Sequence, residues 1–281
     1  MIKSGIRTER KPRFSIISPH SKLKRIITQM RTLTFIALSA IIFTACQATG
    51  LSLAYDPTTI KREVEQNNKV TKITIPKSTK QLIKVTTKDW NSKDGELQRY
   101  EKDKNGNWIK VGESIKIVLG RNGLAWGLGL HDIPVDAKYI KKEGDGRSPA
   151  GLFELGNGFG YKNFKINFPY EKYKRTDHCV DDSHSKYYNT IIDSTKVKKD
   201  YKSFEHMRLR NNLYKYGITV KHNPLNIPQS GSCIFMHIKN KRGTGTAGCT
   251  AMSQKSIITI LKWLDKEKSP LLLQLPKSEI D

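Results

Sequence analysis

Between Gln81 and Gly120 the chain reads QLIKVTT, ELQRYEKD, NWIKVG and SIKIVLG, with the turn clusters NSKDG and KNGN among them. Apolar and polar residues alternate within each segment. A period of two sends every second side chain to one face, which suits a half-buried strand and not a helix. Clusters of Gly, Asn, Asp and Ser close such segments into tight turns. The stretch therefore specifies a meander of antiparallel strands, and with it a mainly β domain with few helices.

The remainder fits that class. Gly-bearing turns recur at LGRNGLAWGLG and KKEGDGRSPAG, and SKYYNTIID mixes aromatic and β-branched residues as a strand with its flank. One helix is clear. Ser253 is a good N-cap, and Ile257, Ile260, Leu261 and Leu264 follow on one face at i, i+3, i+4, i+7 spacing. A shorter helical stretch is expected around SFEHMRLR. PLLLQLP reads as a buried closing strand ended by Pro276. The four tryptophans, Trp90, Trp108, Trp126 and Trp263, read as core, and His131, His184 and His222 as surface or structural residues. The boundaries that follow are a domain over 81–275 and a tail over 276–281.

The first 80 residues carry a different pattern. From Met30 to Cys46 the chain reads MRTLTFIALSAIIFTAC: a positive residue, an apolar run, then small residues. Leu33 to Phe43 is too short for a permanent membrane-spanning helix and has the build of a signal segment. FTAC approximates a lipobox, in which the cysteine is lipidated; Phe43 stands where Leu is usual. Residues 1–45 are thus expected to be a signal segment whose working start is Met30, with Cys46 as lipid anchor. Residues 46–80 are polar and aperiodic, as a tether should be. The expected location is outside the cytoplasm, in the periplasm or cell envelope.

Charge narrows the partners little. The chain has 281 residues and a formal net charge of +24, from 50 basic and 26 acidic residues. The basic residues are dispersed, with no long block, no nucleic-acid motif, no zinc-type Cys/His spacing and no P-loop. No nucleic acid, metal or cofactor is expected.

Four cysteines are present, and three remain if Cys46 is lipidated. In an oxidising compartment thiols tend to pair, which leaves one odd. Cys179 (DHCVDD) and Cys233 (GSCIF) are the favoured pair; two buried free thiols, or a bond from either to Cys249, are the other options. Cys249 lies in TAGCTAMS, ahead of the predicted helix. Helix amides and a nearby imidazolium both lower a thiol pKa, so this position suits a nucleophile. Twelve residues upstream, His237 ends the apolar run IFMHI and suits a base. The amides of Ala247, Gly248 and Cys249 are placed to hold an oxyanion. A hairpin-like connection would bring His237 and Cys249 face to face. A core histidine and an unrelated buried cysteine would show the same spacing.

The wider pattern favours catalysis. Thr246-Ala247-Gly248-Cys249, with His237 upstream, resembles the catalytic signature of the L,D-transpeptidases (YkuD-type domains). QLIKVTTKDWNSKDGELQRY, GRNGLAWGLGLH, KKEGDGRSPAGLFELGNGFGY, CVDDSHSKYYN, FEHM and GSCIFMHI extend the resemblance over residues 81–275. It implies a β-sandwich catalytic domain, a Cys249 thiolate that attacks a peptidoglycan stem peptide, and a thioester resolved by an amine or by water. It implies His237 as base, a backbone carbonyl such as that of Ile238 to orient it, and no cofactor. Arg147 in GDGRSP, His206 in FEHM, Asn189 in YYN and Thr246 become candidate substrate contacts; for Arg147 a structural role in its turn is the alternative. Two departures stand out. Ala247 occupies the place of a common family histidine, and the base and nucleophile are closer in sequence than usual. A carboxypeptidase or amidase using the same dyad, and a non-catalytic wall-binding lipoprotein, are the alternative functions.

Overall fold

A computed structural model of the chain describes residues 73–280. The signal segment, Met30, the lipobox at Cys46 and the tether as far as residue 72 lie outside the described residues.

The meander forms as its alternation requires. Strands β1 (Gln81–Thr87), β2 (Asp94–Lys102) and β3 (Trp108–Val118) pair antiparallel in chain order. NWIKVG and SIKIVLG, which read as separate segments, belong to one strand. Its ladder with β2 shifts register between Leu97 and Arg99, opposite Gly112 at φ 64°. Here one β2 residue faces three of β3, an irregularity that interrupts the pattern without ending the strand.

β4 (Leu124–Trp126), β5 (Ser148–Gly160) and β6 (Tyr170–Lys172) follow. After them come β7 (Asp177–Val180), β8 (Ile191–Asp193), β9 (Phe204–His206) and β10 (Tyr216–Val220). Then come β11 (Phe235–Ile238), β12 (Thr250–Met252), helix α1 (Gln254–Trp263) and β13 (Leu271–Pro276). The main sheet runs β10-β11-β12-β3-β2-β1-β13-β5-β4, and β5 also pairs with β10, so the ladder closes on itself. Closure is possible because β5 is long: it meets β13 through Gly151–Glu154 and β10 through Leu155–Gly160. The mainly β architecture is as the meander led us to expect.

Ile83, Val85, Leu97, Met236, Met252 and Leu272 meet in the main core. The helix supplies Ile257, Ile260, Leu261 and Leu264 to it, all fully buried, and the Ser253 hydroxyl caps its N-terminus through the Ser256 amide at 3.1 Å. The packed region is wider than 81–275. Ile73 and Ile75 lie against core residues ahead of β1, and beyond Pro276 a 3-10 turn (Lys277–Glu279) is followed by Ile280, which packs on the main core.

β8, β7 and β9 form a second, three-stranded sheet with β7 in the middle. The helix expected around FEHM is thus a strand. Cross-strand pairing overrides local preference: Phe204 and His206 stack with His178 on one face, while Glu205 pairs with Cys179 and leads to buried Met207. Of SKYYNTIID only Ile191–Asp193 is strand; Asn189, at φ 57°, turns the chain before it.

Cys179 of β7 is bonded to Cys233, two residues before β11, across a sequence separation of 54. The bridge ties the small sheet to the wall of the large one. Closing a loop of that length is worth about 4 kcal/mol by chain entropy. Replacing both cysteines by serine should lower unfolding free energy by about 2–4 kcal/mol, read as a lower urea midpoint in non-reducing buffer.

Candidate active site

β11 and β12 are adjacent and parallel, with Met236 opposite Thr250, His237 opposite Ala251 and Ile238 opposite Met252. The connection between them is therefore a crossover loop, not the hairpin-like turn expected from sequence. Alternation sorts their side chains. Met236 and Met252 enter the main core, while Phe235 and Cys249 join a second cluster with Phe159, Cys179, Met207, Tyr214 and Cys233. His237 is two residues along from Phe235, so it shares that face. The backbone positions of His237 and Cys249 are offset by about 7 Å along the strands.

Cys249 is the free cysteine among the described residues and is 6% exposed. It does not stand at a helix entrance. β12 intervenes, and α1 begins only after Ser253. The Phe235 amide donates to Sγ at 3.3 Å, and the thiol lies 3.6 Å from the Cys233 carbonyl oxygen. The carbonyl of Cys249 accepts from Thr246 Oγ1 at 2.7 Å and from Ser148 Oγ at 3.2 Å, which fixes the backbone at this cysteine. Burial pushes the thiol well above its ordinary range, and the nearby Glu205 adds to this; the Phe235 amide, the Tyr214 hydroxyl and Lys141 pull the other way. Cys249 therefore rests as a neutral thiol and not as the low-pKa thiolate that a helix terminus would give.

His237 is equally buried, at 6%. Its Nδ1 lies 2.9 Å from the Ile238 carbonyl oxygen. A carbonyl only accepts, so Nδ1 carries the proton and Nε2 keeps the basic lone pair. Burial pushes the imidazole pKa down to about 4, against the Ile238 bond. The resting pair is a neutral thiol and a neutral imidazole. No hydrogen bond joins them among the described residues. Tyr214 packs beside both: its ring lies edge-on against the His237 ring at 5.1 Å, and it shares the buried cluster of Cys249.

The loop residues divide. Thr246 Oγ1 accepts the Gly248 amide at 3.1 Å, so that amide is occupied and unavailable to an oxyanion. The amides of Ala247 and Cys249 find no acceptor among the described residues. Ala247 is exposed at the rim, where the common family pattern has its histidine. Gly248 is closely packed: a Cβ there would sit 3.2 Å from both the Arg147 carbonyl oxygen and an Ile234 methyl.

Arg147 and Asn189 are hydrogen-bonded to neighbouring loops. Arg147 donates to the carbonyls of Trp90 and Leu124 at 3.1 and 2.8 Å and to Asn91 Oδ1 at 3.0 Å, and lies over the Tyr139 ring. Two of these three acceptors are backbone carbonyls, so the fold itself anchors the guanidinium. Asn189 clamps the loop before β11: its Oδ1 accepts from the Cys233 amide, and its Nδ2 donates to the carbonyls of His222 and Asn223. A cavity of about 200 Å³ beside it is lined by both disulfide cysteines, His222 and Phe235. His206 is exposed on the far face of β9.

A family model for the L,D-transpeptidase catalytic domain, YkuD, matches residues 89–272. The chain belongs to that family. No curated protein and no solved structure matches it.

Several residues of this L,D-transpeptidase domain that shape the site were not singled out from sequence. Ser148 sits in the GDGRSP stretch, where attention fell on Arg147 beside it. Glu205 neighbours His206, and strand alternation, had FEHM been read as a strand, would have turned it inward. Tyr214 is one of 11 tyrosines and carries no local signal.

Proposed function

We propose that the protein is a peptidoglycan L,D-transpeptidase in which Cys249 is the nucleophile and His237 the general base. Sγ attacks the carbonyl of the third stem residue, usually meso-diaminopimelate, as Nε2 of His237 takes the thiol proton. The C–N bond to the terminal D-alanine breaks, and the imidazolium returns the proton to the leaving amine. The thioester is then opened by an amine of a neighbouring stem, which restores the thiol. One observation carries this reading. The parallel register of β11 and β12 sets both side chains on one face, with His237 Nδ1 bound to the Ile238 carbonyl and Nε2 left basic. Because both partners rest neutral, proton transfer accompanies attack instead of preceding it. Export and lipidation at Cys46 belong to the same proposal, and the Cys179–Cys233 disulfide supports an oxidising compartment.

Incubating the full chain with a stem tetrapeptide and following it by mass spectrometry tests this. We expect release of D-alanine and an adduct on the Cys249 peptide, with neither in Cys249→Ala. Release by that variant at the unmodified rate would refute the assignment. With crosslinkable muropeptides, new 3–3 links mean transfer, whereas shortened stems alone mean hydrolysis and the carboxypeptidase alternative.

A further inference from the structure

His237, Ala251, Val118 and Asp94 stand opposite one another on four successive strands of the main sheet and form one row across it. Alternation turns this row away from the main core, which Met236, Met252 and Ile117 enter from the same strands. The next row on that outer face holds Lys116 of β3 opposite Glu96 of β2. Lys239 joins it, two residues past His237 and still tied to β12 by its amide on the Met252 carbonyl. Cys249 lies on the other side of the His237 row, two residues before Ala251. Nucleophile, base and lysines thus follow in that order, each step about 7 Å along the strands.

A cavity of about 490 Å³ lies on this second row. Lys88, Lys116, Lys239 and Lys277 line it, together with Asp94 and Glu96. All four lysines are exposed, and the side chains of Lys116, Lys239 and Lys277 make no hydrogen bond or ion pair among the described residues. Lys88 acts on its neighbour Asp89, and Asp94 is already paired with Lys93 at 2.9 Å. The cavity therefore holds a cationic excess that its own walls do not neutralise, and it suits an anionic group. Nothing in the acyl-transfer scheme has used it so far.

The two half-reactions indicate which anion. In the first, the His237 imidazolium gives its proton to the departing D-alanine amine. In the second, the entering amine attacks the thioester carbonyl, the C–N bond forms, the C–S bond breaks, and the amine proton passes through Nε2 to sulfur. Both amines therefore sit at His237. Each also shares its carbon with a carboxylate, in D-alanine and at the distal end of meso-diaminopimelate alike. With the acyl group held on sulfur, that carboxylate is directed to the opposite side of the base, where the lysines stand.

We propose that this cavity is the carboxylate subsite for both amines, the one that leaves and the one that enters, with Lys239 and Lys116 as its cations. This rests on the acyl-transfer reading above and adds a rule for the acceptor. An amine that resembles the leaving group, with a carboxylate on the same carbon, is selected over one without. Lysine, a point charge on a flexible stem, suits a carboxylate delivered on two different molecules.

The test is a competition on the full chain, with a stem tetrapeptide as donor and an equimolar mixture of isotopically labelled D-alanine and D-alaninamide as acceptors. Mass spectrometry reads how much of each is built into the peptide. Both compete for one thioester, so their ratio does not depend on how fast the thioester forms. The ratio of D-alanine to D-alaninamide should fall at least about tenfold in the double variant Lys116→Gln/Lys239→Gln. The different basicities of the two amines cancel between the variant and the unmodified chain. Salt should also lower the ratio in the unmodified chain, because exposed charges are screened. A ratio that the substitutions leave unchanged overturns the proposal. Should the double variant not fold, the salt series decides, and a ratio flat with salt overturns it. Release of D-alanine with neither amine incorporated also overturns it, while leaving Cys249 and His237 standing as a hydrolytic dyad. No release from the tetrapeptide, or release by Cys249→Ala, would instead remove the acyl-transfer reading, and this subsite with it.

Discussion

Replacing His237 with glutamine is expected to slow acyl-enzyme formation by two to four orders of magnitude, the usual contribution of a placed general base. Glutamine keeps an N–H for the Ile238 carbonyl, so the local hydrogen bond survives. It has no lone pair basic enough to take the thiol proton. The effect should be unusually complete here. Burial holds Cys249 as the thiol, so little thiolate is available to react unaided. The measurement is D-alanine release from a stem tetrapeptide in single turnover. A loss smaller than about tenfold would mean that another group removes the proton.

The second large effect is on stability. His237 and His222 are both buried, and burial lowers each pKa to about 4 from an ordinary 6.5. For His222 the geometry explains why protonation is resisted. Its Nδ1 accepts from the Leu128 amide at 3.2 Å, and its Nε2 lies 2.9 Å from the Ser230 carbonyl oxygen, so a second ring proton would break the first bond. The sign follows. The unfolded chain binds these two protons more readily than the folded one, so stability falls as pH drops from about 6.5 towards 4 and then levels. Each histidine contributes roughly 3 kcal/mol to the loss. Together they approach the whole stability of an ordinary domain. Glu205 acts in the opposite sense. Its raised pKa makes its contribution complete below the unfolded value of about 4.5 and lost as pH rises through about 7, but one carboxyl is outweighed by two histidines. Urea midpoints measured between pH 7 and 4 should fall steeply. His237→Gln should lessen that fall by one histidine's share, roughly 3 kcal/mol, and an unchanged slope would refute the assignment. The same substitution therefore removes activity and improves acid tolerance, as expected where a functional group is held in a costly environment.

How much of this was legible in the chain depends on the reach of each feature. The meander and α1 follow from local period, and Ile257, Ile260, Leu261 and Leu264 are buried as their spacing requires. Family membership was readable because motif blocks occur in order along the chain. The direction of β12 relative to β11 was not, since nothing local distinguishes an 11-residue crossover from a wide turn. Strands β8 and β9, of three residues each, are too short to show a period. The state of the Cys249 thiol was misjudged for a related reason. Proximity to a helix in sequence suggested a lowered pKa, whereas burial, a tertiary property, decides it. Arg147 shows the same limit: its type suits an anion, but Trp90, Asn91 and Leu124 reach it first.

The bridge between β7 and the approach to β11 carries a practical consequence. Dithiothreitol, routinely added to keep a cysteine enzyme active, would here protect a sulfur that is already shielded and sever the one that fastens Glu205's sheet over it. Handling the protein in air, with no reductant, should preserve the working form better than the usual precaution does.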